Sequence, residues 1–220
     1  MKITYLRVYS ENIERQLQFY RDNLKLPISK KTDHGFHVKI GYSELEFQSG
    51  AEINPYHIAF HIGAHQEAKA LNWLKSRAEI LEDQGNAIVD FPAWNAKSIY
   101  FYDQDRNIIE FISRKHLHET DEPFSEKSLC GIAEIGLATK DVGENYRFLN
   151  QYFKLGIYFG TPEVFCAIGD ENGLLITVDQ NKKTWFPTNE KALPANFDLK
   201  FEHNGKMREL NYTNAKLDIL

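Results

Sequence analysis

Hydrophobic and polar positions along the chain follow one plan three times. In each copy a strand with alternating residues is followed by a helix with one apolar face and then by several short strands. In the first copy the helix carries Ile13, Leu17, Tyr20 and Leu24 at helical spacing, with Asn12 as its N-cap. The pattern therefore predicts a repeated βαβββ module.

The three copies divide the chain into two parts. The first two modules, at 2–50 and 54–114, are predicted to form a paired domain over 1–115. A polar, aperiodic linker is predicted at 116–128, and 129–220 should hold an incomplete third module with a C-terminal β-hairpin. Because the late strands of each module are joined by short connections, they should pair antiparallel. The fold class is therefore α+β, with tandem modules side by side around a shared cleft.

Composition and charge narrow the classes of partner. The chain has 220 residues, of which 42% are hydrophobic, enough for a sizeable core. A formal net charge of −5 gives no support for a nucleic-acid partner, and neither a block of like charge nor a long apolar run suggests a membrane. The N-terminus has no apolar signal core, and Cys130 and Cys166 stand in no metal or redox spacing. We therefore expect a cytoplasmic protein with no nucleic-acid or membrane partner.

Two stretches of the chain carry a family resemblance. ITYLRVYSENIERQLQFYRDNLKL opens the first module with a Phe-Tyr pair inside its helix, and SIYFYDQDRNIIEF closes the second module. In this order the stretches resemble the vicinal oxygen chelate superfamily of glyoxalases, bleomycin-resistance proteins and extradiol dioxygenases. The turn DQDRN keeps the family's acidic and asparagine positions, with Gln and Arg where Pro and Gly are usual. The resemblance covers 2–114 well and 129–180 more weakly.

The resemblance implies a divalent metal ion in the cleft, bound by residues of the first and last strands of the modules. Matched residue by residue, the ligand positions are Tyr5, Glu46, His57 and Glu110, and Tyr5 stands where the family usually has His. Fe, Mn, Ni or Zn would suit such ligands. For His57 and Glu110 the alternative is a hydrogen-bonded pair without metal, and for Glu46 a solvated or arginine-paired carboxylate.

Alternation on the first strand predicts which side chains face the cleft. Leu6 and Val8 suit the core, so Tyr5, Arg7 and Tyr9 should share the opposite face. Arg7 could bind an anionic substrate or simply neutralise a neighbouring glutamate. Tyr5 is also a candidate for moving a proton.

The same reasoning applies to the second and third modules. His57 and His61 share one face of their strand, and Glu110 also points away from the core side. His61 is therefore a candidate base, although a hydrogen-bonded histidine is the alternative. The third module has Glu134 and Ile176 at the two ligand positions, so it is not expected to form a metal site of this kind.

Three functions follow from these observations. The first is a metal-dependent enzyme, a glyoxalase-like lyase or a dioxygenase, in which the metal polarises an oxygen-rich small substrate. The second is a metal-free protein that binds or sequesters a small molecule, with Tyr5, Tyr9, Trp94 and Tyr102 lining the cleft. The third is a scaffolding role in which the third module completes its sheet against a partner subunit. A homodimer is compatible with all three.

Overall fold

Three βαβββ modules follow one another in the computed structural model, which describes residues 1–220. The first module contains β1 (Lys2–Ser10), α1 (Ile13–Gln18), β2 (Ile28–Thr32), β3 (Gly35–Ile40) and β4 (Ser43–Ser49). The second contains β5 (His57–Ile62), α2 (Glu67–Leu74), β6 (Glu79–Leu81), β7 (Val89–Phe91), β8 (Ala96–Tyr102) and β9 (Ile108–Arg114). Its β6 and β7 pair one after the other with β8 and together take the place of a single strand. The third contains β10 (Leu129–Thr139), α3 (Val142–Phe153), β11 (Ile157–Thr161), β12 (Phe165–Asp170) and β13 (Gly173–Asp179). The predicted α+β class and tandem modules are thus confirmed.

The third module has all five of its elements, although an incomplete one was expected. The helix is missing instead from the C-terminal remainder, which contains only strands: β14 (Thr184–Trp185), β15 (Glu190–Lys191), β16 (Phe197–His203), β17 (Lys206–Thr213) and β18 (Lys216–Ile219). The last three strands form an antiparallel meander that includes the predicted hairpin. None of the helices is long and apolar enough to cross a membrane.

The first helix shows how the local sequence produces each module. Asn12 caps α1 by accepting a hydrogen bond from the backbone N–H of Arg15 at 3.1 Å. The helix continues as a π-helical turn at Phe19–Asn23. The side chains of Tyr20, within this turn, and Leu24, directly after it, are fully buried. The predicted apolar stripe therefore does pack against the sheet.

The first and last strands of each module pair in parallel, while the other neighbours within a module are antiparallel. The parallel register places three pairs at equivalent points, Arg7 opposite Glu46, Ala59 opposite Glu110 and Gly136 opposite Ile176. Two residues before the first member of each pair stand Tyr5, His57 and Glu134. The modules are therefore related in detail, and the same two positions recur in each of them.

The pairing between modules is not the one expected. The second module pairs with the third through antiparallel β5 and β10, where Ala59 lies opposite Glu134. The first module pairs with the C-terminal strands through β1 and β16, where Arg7 lies opposite Asp198. Each first strand has one edge covered by the last strand of its own module, so only the other edge is free for a second module. A shared cleft between the first two modules, the basis of the predicted 1–115 domain, therefore does not form.

The same pairing removes the basis of the scaffolding hypothesis. The free edge of β10 is covered by β5 of the same chain, so the third module needs no partner subunit to complete its sheet. The two halves of the sheet meet where Ile3 on β1 pairs with Ile132 on β10. At that point the buried Ser43 hydroxyl donates to the Ile3 carbonyl at 2.7 Å and accepts from the Ile132 N–H at 2.8 Å.

The family-like turn between β8 and β9 connects the first module to the second. One oxygen of the buried Asp103 accepts hydrogen bonds from three side chains, those of Gln16, Tyr20 and Asn107, at 2.5, 3.1 and 2.8 Å. Its other oxygen accepts from the backbone N–H groups of residues 105 and 107. Arg106, where the family usually has Gly, adopts a φ of 60°. Because Gln16 and Tyr20 belong to the first module, this turn also holds the first and second modules together.

We expect Asp103→Asn to lower the free energy of unfolding by about 3 kcal/mol, since an amide NH₂ cannot accept from the side-chain donors around it. Tyr20→Phe removes only one donor and should cost about 1 kcal/mol. Urea denaturation followed by circular dichroism measures both values. Asp218→Asn, at an exposed position, is the control. Equal stability of Asp103→Asn and the control would contradict this account of the turn.

Candidate functional site

The second module supplies a buried histidine–glutamate pair. Because β5 and β9 are adjacent and parallel, His57 and Glu110 lie on the same face, and His57 Nε2 is 3.0 Å from Glu110 Oε2. The Ser98 hydroxyl of β8 donates to the other oxygen, Glu110 Oε1, at 2.5 Å. Both carboxylate oxygens of Glu110 are therefore already engaged by protein groups.

The third module adds a second carboxylate to this face. A bulge in the pairing of β10 with β5 turns Glu134 toward Glu110, and the Arg114 guanidinium donates to Glu134 Oε1 at 2.6 Å. Arg114 is 2% exposed and lies near the rings of Trp94 and Tyr158, at 5.6 and 5.8 Å from their centroids. Burial, with the nearby negative charge of Glu110, raises the pKa of Glu134 to about 7.

These groups border a cavity of about 120 Å³ between the second and third modules. Its polar lining is His57, Glu110 and Glu134. Its apolar lining comes from β7, β8, β9, β12, β13 and the segments beside them: Phe91, Trp94, Tyr100, Ile112, Phe165, Ile176 and Phe186. The cavity is thus mostly apolar, with two carboxylates in its wall.

The C-terminal segment closes one side of the cavity. The Trp185 ring packs edge-on against His57 with the ring centroids 5.5 Å apart. Phe186 packs against Phe91 and Tyr100 at 5.9 and 5.4 Å. Position 136 must be glycine here, since a Cβ would lie 2.6 Å from the Trp185 ring.

The predicted aromatic wall is only partly present at this cavity. Trp94 lines it, together with Tyr100. The Tyr102 hydroxyl instead donates to Glu190 at 2.9 Å, and the Arg106 guanidinium covers its ring at 4.0 Å from the centroid. Tyr102 therefore anchors the C-terminal segment.

His61, the candidate base, lies outside the cavity lining. It is 1% exposed, and its Nε2 donates to the backbone carbonyl of Asn172 at 3.3 Å. Burial, reinforced by the positive charge of Arg114, lowers the pKa of His61 to about 3. A group held neutral in this way, with no contact to the cavity, is not placed to move a proton there.

The first-module candidates form a separate polar cluster. The Tyr5 hydroxyl donates to Glu46, and Arg7 donates to Glu46 at 2.9 Å and to Asp198 at 2.8 Å. Burial opposes ionisation of Glu46, but the hydrogen bonds from Tyr5 and Arg7 prevail and lower its pKa. Burial raises the pKa of Tyr5, so its phenol stays protonated. Arg7 therefore neutralises carboxylates, and no hydrogen bond or ion pair joins this cluster to His57.

Tyr9 belongs to neither cluster. It borders a second cavity of about 150 Å³ formed with residues 50–54, Tyr56 and 194–196. The four metal-ligand positions implied by the resemblance are thus divided between two surfaces, two on each. Strand alternation correctly predicted that each of the four points away from the core side of its module. Which of them lie close together depends instead on the strands with which β1 and β5 pair.

Several residues at the cavity were not singled out as functional from sequence. Arg114 could have been found, because it lies two and four residues beyond Ile112 and Glu110 on one strand face. Glu134 was placed at a ligand position but not expected to share a site with His57. Trp185 and Phe186 belong to a segment with no periodic pattern, so nothing in the sequence pointed to them.

The residues present do not fit a divalent metal ion. No group of three or more His, Cys, Asp or Glu residues in the chain could hold one. At the cavity both oxygens of Glu110 are engaged by His57 and Ser98, and one oxygen of Glu134 accepts from the Arg114 guanidinium, so few donor atoms are left for a metal ion. The fourth ligand position is occupied by Ile176, which has no donor atom.

Comparison with known proteins places the fold. No protein-family model matches this sequence, and no curated protein is significantly similar to it. A Bacillus subtilis protein that carries a provisional dioxygenase name is 13% identical, with a TM-score of 0.59 over 81% of this chain and 63% of its own. Glyoxalase I from Zea mays is 15% identical, with a TM-score of 0.52 over 80% of this chain and 66% of its own.

At these identities the likeness shows the fold alone. The chain has the tandem-module fold of these two solved structures, as its sequence predicts. It spans slightly less than two thirds of the length of either solved structure. The activity of those proteins therefore does not transfer with the fold.

Glu134 should make stability depend on pH. The folded protein keeps the Glu134 proton up to about pH 7, whereas the unfolded chain releases it near the ordinary glutamate pKa of 4.5. Its contribution to the free energy of unfolding is therefore largest below pH 4.5 and falls as the pH rises toward 7. We expect Glu134→Gln to remove this fall. Urea denaturation between pH 4 and 8 measures it.

Glu163→Gln is the matched control for that experiment, because it removes one charge at an exposed position with no ion pair. Its stability should follow that of the wild type across the pH range. An identical pH dependence in Glu134→Gln would show that Glu134 titrates alike in both states.

Proposed function

We propose that this protein binds a small, largely apolar or aromatic molecule in the cavity between its second and third modules, without a bound metal. One observation carries the proposal. Seven of the ten residues that line the cavity are hydrophobic, and its carboxylates are engaged by protein donors instead of being free to bind a metal. Apolar cavities with a few fixed polar groups are the usual form of a small-molecule site.

The size of the cavity sets the size of the ligand. An engineered apolar cavity of about 150 Å³ holds one benzene molecule. A cavity of about 120 Å³ bordered by Trp94, Tyr100 and Phe165 is therefore suited to a single ring or a short branched chain. Ring faces on several sides favour stacked or edge-on contact with an aromatic ligand.

The polar groups would orient the ligand within the cavity. His57, Glu110 and Glu134 lie together in its wall, so a ligand with one hydrogen-bonding group would place that group here and its apolar part against the aromatic rings. The fixed partners of the carboxylates, Ser98 and Arg114, hold these acceptors in place before the ligand arrives.

The metal-dependent enzyme expected from the family resemblance is the competing function. It is supported by three acidic or imidazole side chains at three of the four equivalent positions, on His57, Glu110 and Glu134. It is opposed by the engagement of those side chains and by Ile176 at the remaining position. Direct measurement of metal binding separates the two functions.

The test is a titration with toluene and benzyl alcohol, followed by calorimetry. We expect each probe to bind with one-to-one stoichiometry. In Ile176→Phe the larger side chain fills the cavity, so the affinity should fall by about tenfold or more. Ile219→Phe, at a half-exposed position on β18, is the control and should bind as the wild type does.

Metal binding is measured on the same protein by elemental analysis after incubation with Fe(II), Mn(II), Ni(II) or Zn(II). We expect no stoichiometric metal. One metal ion per chain, lost in a His57→Ala/Glu110→Ala variant, would overturn the metal-free proposal in favour of the enzyme. The proposed function would also be overturned if neither toluene nor benzyl alcohol bound and if Ile176→Phe and Ile219→Phe did not differ.

A further inference from the structure

The charges at the cavity are not balanced. Two carboxylates, Glu110 and Glu134, lie in its wall. With histidine counted as neutral, Arg114 is the single positive charge bound to them. When Glu134 is ionised, above about pH 7, the cluster therefore carries one net negative charge in a site shielded from water, where such a charge interacts strongly with an opposite one.

One acceptor atom of this cluster is free. The Oε1 atom of Glu134 accepts from Arg114, whereas Oε2 accepts no hydrogen bond from the protein. The Glu134 residue is 3% exposed, and it borders the cavity. A carboxylate oxygen with no protein donor at the cavity wall can accept a hydrogen bond from a ligand.

Aromatic rings form most of the remaining lining. Trp94 and Tyr100 border the cavity, as do the rings of Phe91, Phe165 and Phe186. The face of an aromatic ring attracts a cation, and several faces around one space make a cage for an organic ammonium group. An anionic ligand would instead meet two carboxylates and the negative faces of these rings.

We propose that the ligand of this cavity is a monovalent organic cation, a small amine whose ammonium group donates to Glu134 Oε2 and whose apolar part contacts the aromatic lining. This inference rests on the proposed function and specifies its ligand class. An inorganic cation would leave the aromatic lining without a partner. A neutral ring would leave the net negative charge uncompensated.

The role of Arg114 follows from the same arrangement. Its guanidinium binds one oxygen of Glu134 and leaves the other free to accept a hydrogen bond from the ligand. Because Arg114 is buried and holds Glu134 by a single hydrogen bond, it positions the acceptor without satisfying both of its oxygens.

The test compares three probes of similar shape and different charge: benzylamine, benzyl alcohol and benzoate. Calorimetry at pH 8 and about 0.15 M salt gives their affinities, with surface charge effects reduced by screening. We expect benzylamine to bind about tenfold more tightly than benzyl alcohol, and benzoate to bind most weakly. Glu134→Gln should remove the preference for benzylamine over benzyl alcohol.

Glu163→Gln is again the control, since it changes the net charge by the same amount at an exposed position outside the cavity lining, and it should keep the preference. Thermal unfolding verifies that each variant is folded. Equal affinities for the three probes, or a preference for benzoate, would overturn this inference and leave the proposed function intact. No binding of any of the three would overturn both.

Discussion

The antiparallel pairing of β5 with β10 is the constraint on which the candidate site depends. It places Ala59 opposite Glu134, and so brings the third module's carboxylate to the face that already carries His57 and Glu110. Every other feature of the cavity follows from that junction, because one wall comes from β8 and β9 and the other from β12 and β13. A different partner for β5 would leave His57 and Glu110 as an ordinary hydrogen-bonded pair on an open sheet.

Burial of charge is the main energetic cost of this arrangement. Two carboxylates and one guanidinium are almost fully removed from water, and such groups need partners with good geometry. Ser98, His57 and Arg114 provide them, although the Nε and Nη1 atoms of Arg114 have no hydrogen-bond partner. The structure thus retains costly polar groups at a place where an apolar core would be more stable. A role in binding a ligand would explain why the protein has these buried polar groups.

The two halves of the sheet have the same strand register but carry different side chains at the equivalent positions. At equivalent positions the first module has Tyr5, Arg7 and Glu46, half-buried and fully paired with one another and with Asp198. The second and third modules have an enclosed cavity at the corresponding place. The difference arises from the partner. Beside β1 the strand β16 brings Asp198 to Arg7, so the polar side chains pair with one another, whereas the second and third modules are bridged by Trp185 and Phe186.

The sequence by itself determined the local structure of this protein. Residue alternation and helical spacing predicted the three modules, most strand positions and the face on which Tyr5, His57 and Glu110 lie, because these depend on burial within one module. Only the tertiary structure decided which modules pair. Each module presents one similar strand edge, and the choice among these edges depends on the summed packing of many side chains distant in the chain. That choice separated Tyr5 and Glu46 from His57, and it brought Glu134, Arg114 and the aperiodic segment around Trp185 to one cavity.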